Sequence, residues 1–311
     1  MEEKLDIITI GESLIELSTS ASLKTSECFN KNYGGDALVS AIAALRSGSK
    51  VGYITKVGND TFGEYLISAW QKEGLDASTV KLSKGQNGIY FVGHDNNSRE
   101  YQYYRQKTAA STLCVDDIDF NYIKSSKLIY ATGFVQSLSL SARECVQEAF
   151  KFAKENGIIT AYDPNCQKYN TIKDEALENF NLIKEYVDII FIETKDGEQL
   201  FDTTSVNMLI TRLSDLGIKM IIVKDKDTGV TIYKNNDTVN IPPILTEMID
   251  ATGVSNAFNG GFLSRYLNGK DIHSAGKFAN ALCLLQMQSV GAIKSIPYKK
   301  DVEEYCEKIY G

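Results

Sequence analysis

The chain has 311 residues, 43% hydrophobic and 23% charged, enough for one large α/β domain with a substantial core. Its net charge of −7, with no long basic run, argues against nonspecific binding to nucleic acid or to an anionic membrane. Six scattered cysteines without a CxxC pair and two distant histidines make a disulfide framework or a His-based metal site improbable. No apolar run reaches membrane-spanning length and residues 1–12 carry no signal stretch, so a cytoplasmic protein is expected.

In chain order, residues 6–12 form a short apolar run closed by Gly11, the pattern of the first strand of a covered parallel sheet. Glu16 falls just past that strand, where α/β proteins collect ligand groups. It also fits as a solvated residue of a small amphipathic strand, 14–17. Tyr33-Gly34-Gly35-Asp36 precedes an Ala- and Leu-rich helix over 37–47, stopped by Gly48. A glycine pair there lets a ligand approach the backbone, and it is also common loop punctuation. Residues 50–57 read as a second strand, and 58–63 as a turn and cap before a helix over 64–73.

Residues 86–105 change character and read as a hairpin with a polar turn at 95–98. Alternation puts Tyr101 and Tyr103 on one face, Gln102 and Tyr104 on the other. A free aromatic hairpin is marginal in water, so pairing with residues 14–32 in a small secondary sheet is expected. Its tyrosines and Arg105 suit a polyhydroxylated ligand; sheet-face or dimer packing also explains them.

From residue 127 the period settles. Strands are expected at 127–132, 157–163, 187–193 and 219–225, with helices at 141–156, 174–186 and 205–216 and an edge pair at 230–233 and 239–241. This is a doubly wound, mostly parallel sheet. Polar clusters at 163–165, 193–196 and 224–226 fall at strand ends, where ligands bind; helix caps explain some of them.

Residues 250–262, DATGVSNAFNGGF, place an acid, a small polar residue and Gly253 before a small-residue helix. Glycine permits the tight turn, and the helix N-terminus offers unpaired N–H groups and a positive dipole end to an anion. Asn256 stands where a carboxylate would be the obvious proton acceptor. Helices follow at 256–265, 272–287, with Asn280 on a small-residue face, and 301–309.

These pieces, in order, resemble the ribokinase-like (PfkB) carbohydrate kinases over nearly the full length, closest to the 2-keto-3-deoxygluconate kinase and fructokinase branch. The matching stretches are 11–16, 34–38, 57–63, 103–105, 163–165 and 250–262. The resemblance implies a single ribokinase-like domain over 1–311: a doubly wound, mostly parallel sheet sandwiched by helices, with a β-sheet lid inserted at about 13–33 and 86–107. It implies transfer of the γ-phosphoryl group of ATP, with Mg²⁺, to a hydroxyl of a ketose or keto-sugar acid. Glu16, Gly34, Gly35 and Asp36 would line the sugar pocket, with Tyr90, Tyr103 and Arg105 from the lid and Gln167 beyond 163–165. Arg105 would pair with a substrate carboxylate. Thr252, Gly253 and Ser255 would form the anion hole, with Asn256 at the base position. Lys224, Lys226, Gly229 and Asn280 would meet the nucleotide, and Glu193 and Asp196 the metal. A homodimer through the lid would cover the aromatic hairpin.

The departures from the family pattern are as specific. Asn256 replaces its catalytic aspartate, and an amide orients a hydroxyl but cannot take its proton. Ser255 and Lys226 replace glycines, Gln167 an arginine, Val39 an asparagine, Glu193 an asparagine and Asp196 a glutamate. A catalytically impaired sugar- or nucleotide-binding homologue is the alternative. A nicotinamide-dependent oxidoreductase is disfavoured, because no GxGxxG follows the first strand.

Overall fold

The computed structural model describes residues 4–95, 98–166, 173–244, 246 and 248–311. The chain opens with β1 (Leu5–Ile10), β2 (Leu14–Ser18), β3 (Asn30–Gly34) and α1 (Asp36–Arg46). Then come β4 (Val51–Ile54), β5 (Lys56–Gly58), α2 (Thr61–Glu73), β6 (Lys81–Ser83), β7 (Gly88–Asp95) and β8 (Ser98–Tyr104). The alternating middle is α3 (Phe120–Lys124), β9 (Ser126–Thr132), α4 (Gly133–Gln136), α5 (Leu140–Glu155), β10 (Ile159–Asp163), α6 (Lys173–Ile183), β11 (Ile189–Glu193), α7 (Thr194–Phe201), α8 (Val206–Asp215) and β12 (Met220–Asp225). It closes with β13 (Gly229–Lys234), β14 (Asp237–Ile241), α9 (Val254–Leu267), α10 (Ile272–Gln286) and α11 (Lys299–Tyr310).

The main sheet has the order β14-β13-β12-β11-β10-β9-β1-β4. It is parallel from β12 to β4, and β13 and β14 add antiparallel at one edge. Strand alternation splits the core in two. Ile7, Leu128 and Tyr130 point to the layer holding α1, α2, α9 and α10. Ile8, Ile10 and Ile129 point to the layer holding α5, α6 and α8. Both faces are covered, which is why these strands read as unbroken apolar runs.

The predicted hairpin is present and pairs as expected with the segment before α1. The second sheet runs β3-β2-β7-β8, with β2 parallel to β7. One local expectation is corrected. Residues 50–57 are not one strand: β4 is the edge of the main sheet and stops at Ile54, and the chain then leaves to pair β5 with β6. The cluster at 193–196 falls at the end of β11, as expected, where Glu193 and Asp196 cap α7 from Thr194 onward.

Helices α1 and α9 cross with their backbones close together. A Cβ on Gly260 would lie 2.0 Å from the Ser40 carbonyl oxygen. This contact brings the N-terminus of α9 beside the start of α1, at the carboxyl ends of the parallel strands. No described helix is long and apolar enough to cross a membrane.

Candidate active site

A cavity of about 160 Å³ lies between the second sheet and the N-termini of α1 and α9. Asp250 precedes the loop, Ala251–Gly253, that lines it. Its carboxylate accepts from the backbone N–H of Thr252 at 2.6 Å and of Gly291 at 2.8 Å, which folds the loop back on itself. Gly253 then takes a left-handed conformation, φ 76°, open to glycine at little cost, and α9 starts without a side-chain cap. The Val254 N–H turns back to the Ala251 carbonyl at 3.3 Å, and the following first-turn N–H groups, with the positive end of the α9 dipole, stand beside the cavity lined by Thr252, Gly253 and Asn256. Asn256 is 2% exposed, and among the described residues its Oδ1 has no hydrogen-bond partner. A buried amide oxygen without a donor is costly unless a ligand supplies one.

The opposite wall comes from α1 and the second sheet. Gly35 caps α1 at φ 137°, where a Cβ would strike the Glu12 carbonyl at 2.2 Å. This conformation brings Asp36 into the wall, buried, with its carboxylate accepting from Asn165 Nδ2. Gly34 sits under Tyr90, whose hydroxyl would be 2.4 Å from an added Cβ. Tyr90 stacks on Tyr103 at 5.4 Å between centroids, and Tyr103 on Tyr101 at 6.4 Å. Glu16 lies behind Tyr90, which donates to it, and does not line the cavity itself. Burial pushes the Glu16 carboxyl up to about 7, against the lowering effect of the Tyr90 hydrogen bond.

Below the first turn of α9 is a polar cluster. Lys224 Nζ donates to Ser255 Oγ at 2.6 Å, to Asn259 Oδ1 at 3.1 Å and to Asp163 Oδ2 at 3.3 Å. Asn259 Nδ2 donates to Asp163 Oδ2 at 2.6 Å and to Tyr130 Oη at 3.0 Å. Lys224 and Asp163 come from the ends of β12 and β10, so strand order sets the cluster.

Other expected site residues lie elsewhere. Arg105 is turned from the cavity: Nε meets Glu12 at 2.9 Å, Nη2 meets the Phe134 carbonyl at 2.8 Å, and the guanidinium lies 3.4 Å over the Phe134 ring. It lines an adjoining open cleft that shares Tyr101 and Tyr103 with the cavity. Burial raises the Glu12 carboxyl even with Arg105 beside it. Lys226 is exposed in the β12–β13 turn, which Gly229 closes at φ 87°. Asn280 Nδ2 donates to Tyr310 Oη at 2.6 Å. Glu193 and Asp196 open α7. Asp196 accepts from the N–H groups of Cys166 and Glu193 at 3.1 and 3.3 Å. Gln167 lies outside the described residues.

The donor set suits phosphate: an uncapped helix start, with a lysine ammonium against its second residue. Among the described residues no group of three His, Cys, Asp or Glu could hold a metal ion. A Mg²⁺ that keeps several waters and is bound largely through nucleotide phosphates needs no such cage. Sequence reasoning passed over Arg99 and the role of Asn259. Arg99 sits near a polar turn without a motif, and Asn259 reads as one more small helix residue.

Residues 4–299 match the pfkB family carbohydrate kinases. The chain belongs to this family. It is 30% identical to a 5-dehydro-2-deoxygluconokinase from Clostridium perfringens, covering 99% of this chain and 97% of that protein. It is 27% identical to a 2-dehydro-3-deoxygluconokinase from Thermoproteus tenax, covering 99% and 96%. A ribokinase-like structure from E. coli in complex with ATP and Mg²⁺ superposes with a TM-score of 0.91 at 23% identity, over 98% of this chain and 99% of that one. A pfkB family carbohydrate kinase is a phosphotransferase that uses ATP with Mg²⁺.

Proposed function

We propose that the protein phosphorylates a hydroxyl of a keto-sugar acid or ketose with Mg·ATP, in the cavity between the second sheet and α9. One observation carries this reading: the uncapped N-terminus of α9 and the hydroxyl-binding groups Asp36, Tyr90 and Tyr103 converge on the same cavity. The sugar lies against the stacked tyrosines, with Asp36 accepting from a hydroxyl. The γ-phosphoryl group lies at the first turn of α9, where Thr252, Gly253 and Ser255 carry the anion site and Lys224 adds charge. Mg²⁺ supplies charge neutralisation of the phosphates when bound. The relatives' names support a deoxy-keto-sugar acid, whereas the Arg105–Glu12 pair leaves no preformed carboxylate site at that arginine. The six free cysteines support a reducing, cytoplasmic setting. Residues 1–311 form one domain in this reading, with the second sheet as its lid. Tyr101 and Tyr104, both exposed on β8, support a homodimer through that sheet.

In the transfer step the sugar oxygen bonds to phosphorus as the bond to the ADP oxygen breaks. The hydroxyl proton leaves to a phosphoryl oxygen or to water. Phosphoryl transfer needs mostly positioning and charge stabilisation, so it survives loss of a protein base at reduced rate. Asn256 Oδ1 accepts the hydroxyl hydrogen bond and orients the nucleophile without removing its proton. Loss of a general base costs roughly 10²–10⁴ in rate. An amide at position 256, with its Oδ1 lacking a donor among the described residues, therefore favours, as a second reading, a binding protein with little turnover.

The test is ADP release with a panel of keto-sugar acids and ketoses, for the native protein and Asn256→Asp. Native turnover above background, raised about 10²-fold or more by Asn256→Asp, is expected. Native turnover that the aspartate does not raise would show that position 256 no longer limits the rate. If neither protein turns over, and ATP does not raise the melting temperature of either, the kinase reading fails.

A further inference from the structure

The lid sheet does more than roof the cavity. Arg99, on β8, reaches across to the loop that leads into α9. Its Nη1 lies 2.9 Å from Asp250 Oδ1 and 3.2 Å from Thr252 Oγ1, and its Nη2 donates to the Ile249 carbonyl at 3.1 Å. Two residues on, the Tyr101 hydroxyl meets the same Thr252 Oγ1 at 3.1 Å. The Arg99 and Asp250 side chains are 19% and 8% exposed, so the pair is shielded from water more than a surface ion pair.

The loop is otherwise anchored only toward the C-terminal part of the chain, among the described residues. Ile249 N and Asp250 N donate to the Met287 carbonyl, Gly291 N donates to Asp250 Oδ2, and Gln286 Nε2 reaches the Thr252 carbonyl at 3.4 Å. These bonds hold the loop to α10 and the turn after it. Within the loop, Thr252 N donates to Asp250 Oδ1 at 2.6 Å, but none of these bonds reaches the Thr252 hydroxyl or ties the loop to the lid side. Arg99 and Tyr101 do, and they belong to a different sheet.

We propose that Arg99 is a positioning residue that couples lid closure to assembly of the anion-binding turn. With the lid down, the guanidinium neutralises Asp250 and pins Thr252, which sets the backbone entering Gly253 and the first turn of α9. With the lid lifted, Asp250 loses its cation, Thr252 loses two partners, and the turn is held from one side only. A sugar that draws the stacked tyrosines down therefore also completes the phosphate site. A planar guanidinium can reach a carboxylate, a hydroxyl and a carbonyl together, whereas a lysine ammonium offers a point charge on a flexible stem.

This rests on the kinase reading for its catalytic consequence, but not for the latch itself, so two readouts are needed. The first is hydrogen exchange of the ligand-free protein for Arg99→Gln and Arg99→Lys. Arg99→Gln is expected to speed exchange of the Thr252 amide and of the first α9 turn, with α5 unchanged; Arg99→Lys restores part of the protection. The second is phosphoryl transfer with whichever sugar the native protein accepts. Arg99→Gln is expected to lower kcat about 10- to 100-fold, with a smaller change in KM for ATP, because a displaced turn misplaces the reacting groups. Tyr101→Phe keeps the stack on Tyr103 and removes only the Thr252 contact. It serves if Arg99→Gln does not fold, with a smaller shift in the same direction. Unchanged exchange in the Arg99→Gln or Tyr101→Phe protein overturns the latch. Faster exchange with unchanged kcat overturns its role in transfer. Absence of native turnover counts against the kinase reading alone, and exchange still decides the latch.

Discussion

Lys224→Met tests the charge balance beneath α9. The lysine side chain is 10% exposed and its partner Asp163 3%. Three ammonium protons meet Ser255 Oγ, Asn259 Oδ1 and Asp163 Oδ2. Methionine keeps most of the stem volume but removes the charge. Asp163 would keep only the Asn259 amide and the N–H of Asn165, at 3.1 Å, as donors. Removing one partner of a buried pair costs about 3–5 kcal/mol, a large part of the 5–15 kcal/mol that holds a domain together. Asp163→Asn should cost a similar amount by stranding the ammonium, and the double variant should lose much less than the sum. Urea unfolding can be followed by the single tryptophan, Trp70, which is fully buried. The ammonium also stands at the positive end of α9, where only an anion makes it comfortable. Lys224→Met should therefore weaken the rise in melting temperature that ATP produces. A loss below about 1 kcal/mol, or additive single effects, would refute the charge pairing. An unchanged ATP response would refute its link to phosphate.

Two further outcomes follow from packing and burial. Glu16 has a folded-state pKa of about 7 against an ordinary 4.5, so the folded protein binds its proton more tightly. That contribution is complete below the unfolded pKa and is lost as pH rises toward 7, on the order of 3 kcal/mol in all. Glu16→Gln should flatten the fall in unfolding free energy over this window; an unchanged pH profile would show that Glu16 ionises freely. Gly260→Ala should destabilise by about 1–3 kcal/mol, because the added Cβ meets the Ser40 carbonyl at 2.0 Å and this outweighs the gain in helix propensity. A stabilised variant in thermal melts would mean that α1 and α9 separate easily.

Much of this architecture was legible because its signals are local. Apolar runs such as residues 189–192 and 220–223 are buried on both faces, and the hairpin tyrosines alternate as their faces require. What was not legible depends on tertiary placement. The end of β4 at Ile54 follows from its position at the sheet edge, which no local pattern encodes. Arg105 looked like a substrate ligand because nothing in residues 103–105 reveals Glu12, which lies 93 positions earlier in the chain and is buried beside it. Arg99 was invisible for the converse reason: its partners at 249–252 are some 150 positions away. Asp196 illustrates a third case. Its carboxylate has the chemistry of a metal ligand, but the abrupt start of α7 gives it backbone donors to satisfy.

The stretch at 250–262 carries two kinds of information that come apart at one atom. Gly253 is required by a positive φ, Gly260 by the Ser40 carbonyl, and Phe258 and Phe262 by their stack at 6.2 Å inside the core. Changing any of these disturbs how α9 meets α1 and the sheet. Position 256 is different. Aspartate and asparagine have nearly the same shape, and the Ser40 hydroxyl binds the residue through its backbone carbonyl at 2.8 Å, not its side chain. The fold is therefore indifferent to the choice, and so is any resemblance built on the fold. The difference lies at the other terminal atom, an amide Nδ2 where aspartate has a second carboxylate oxygen, beside an Oδ1 that is buried at the cavity with no donor among the described residues. Family membership and catalytic strength are thus separate questions in this chain, and the second depends on whether Asn256 orients a hydroxyl well enough that phosphoryl transfer proceeds without a base.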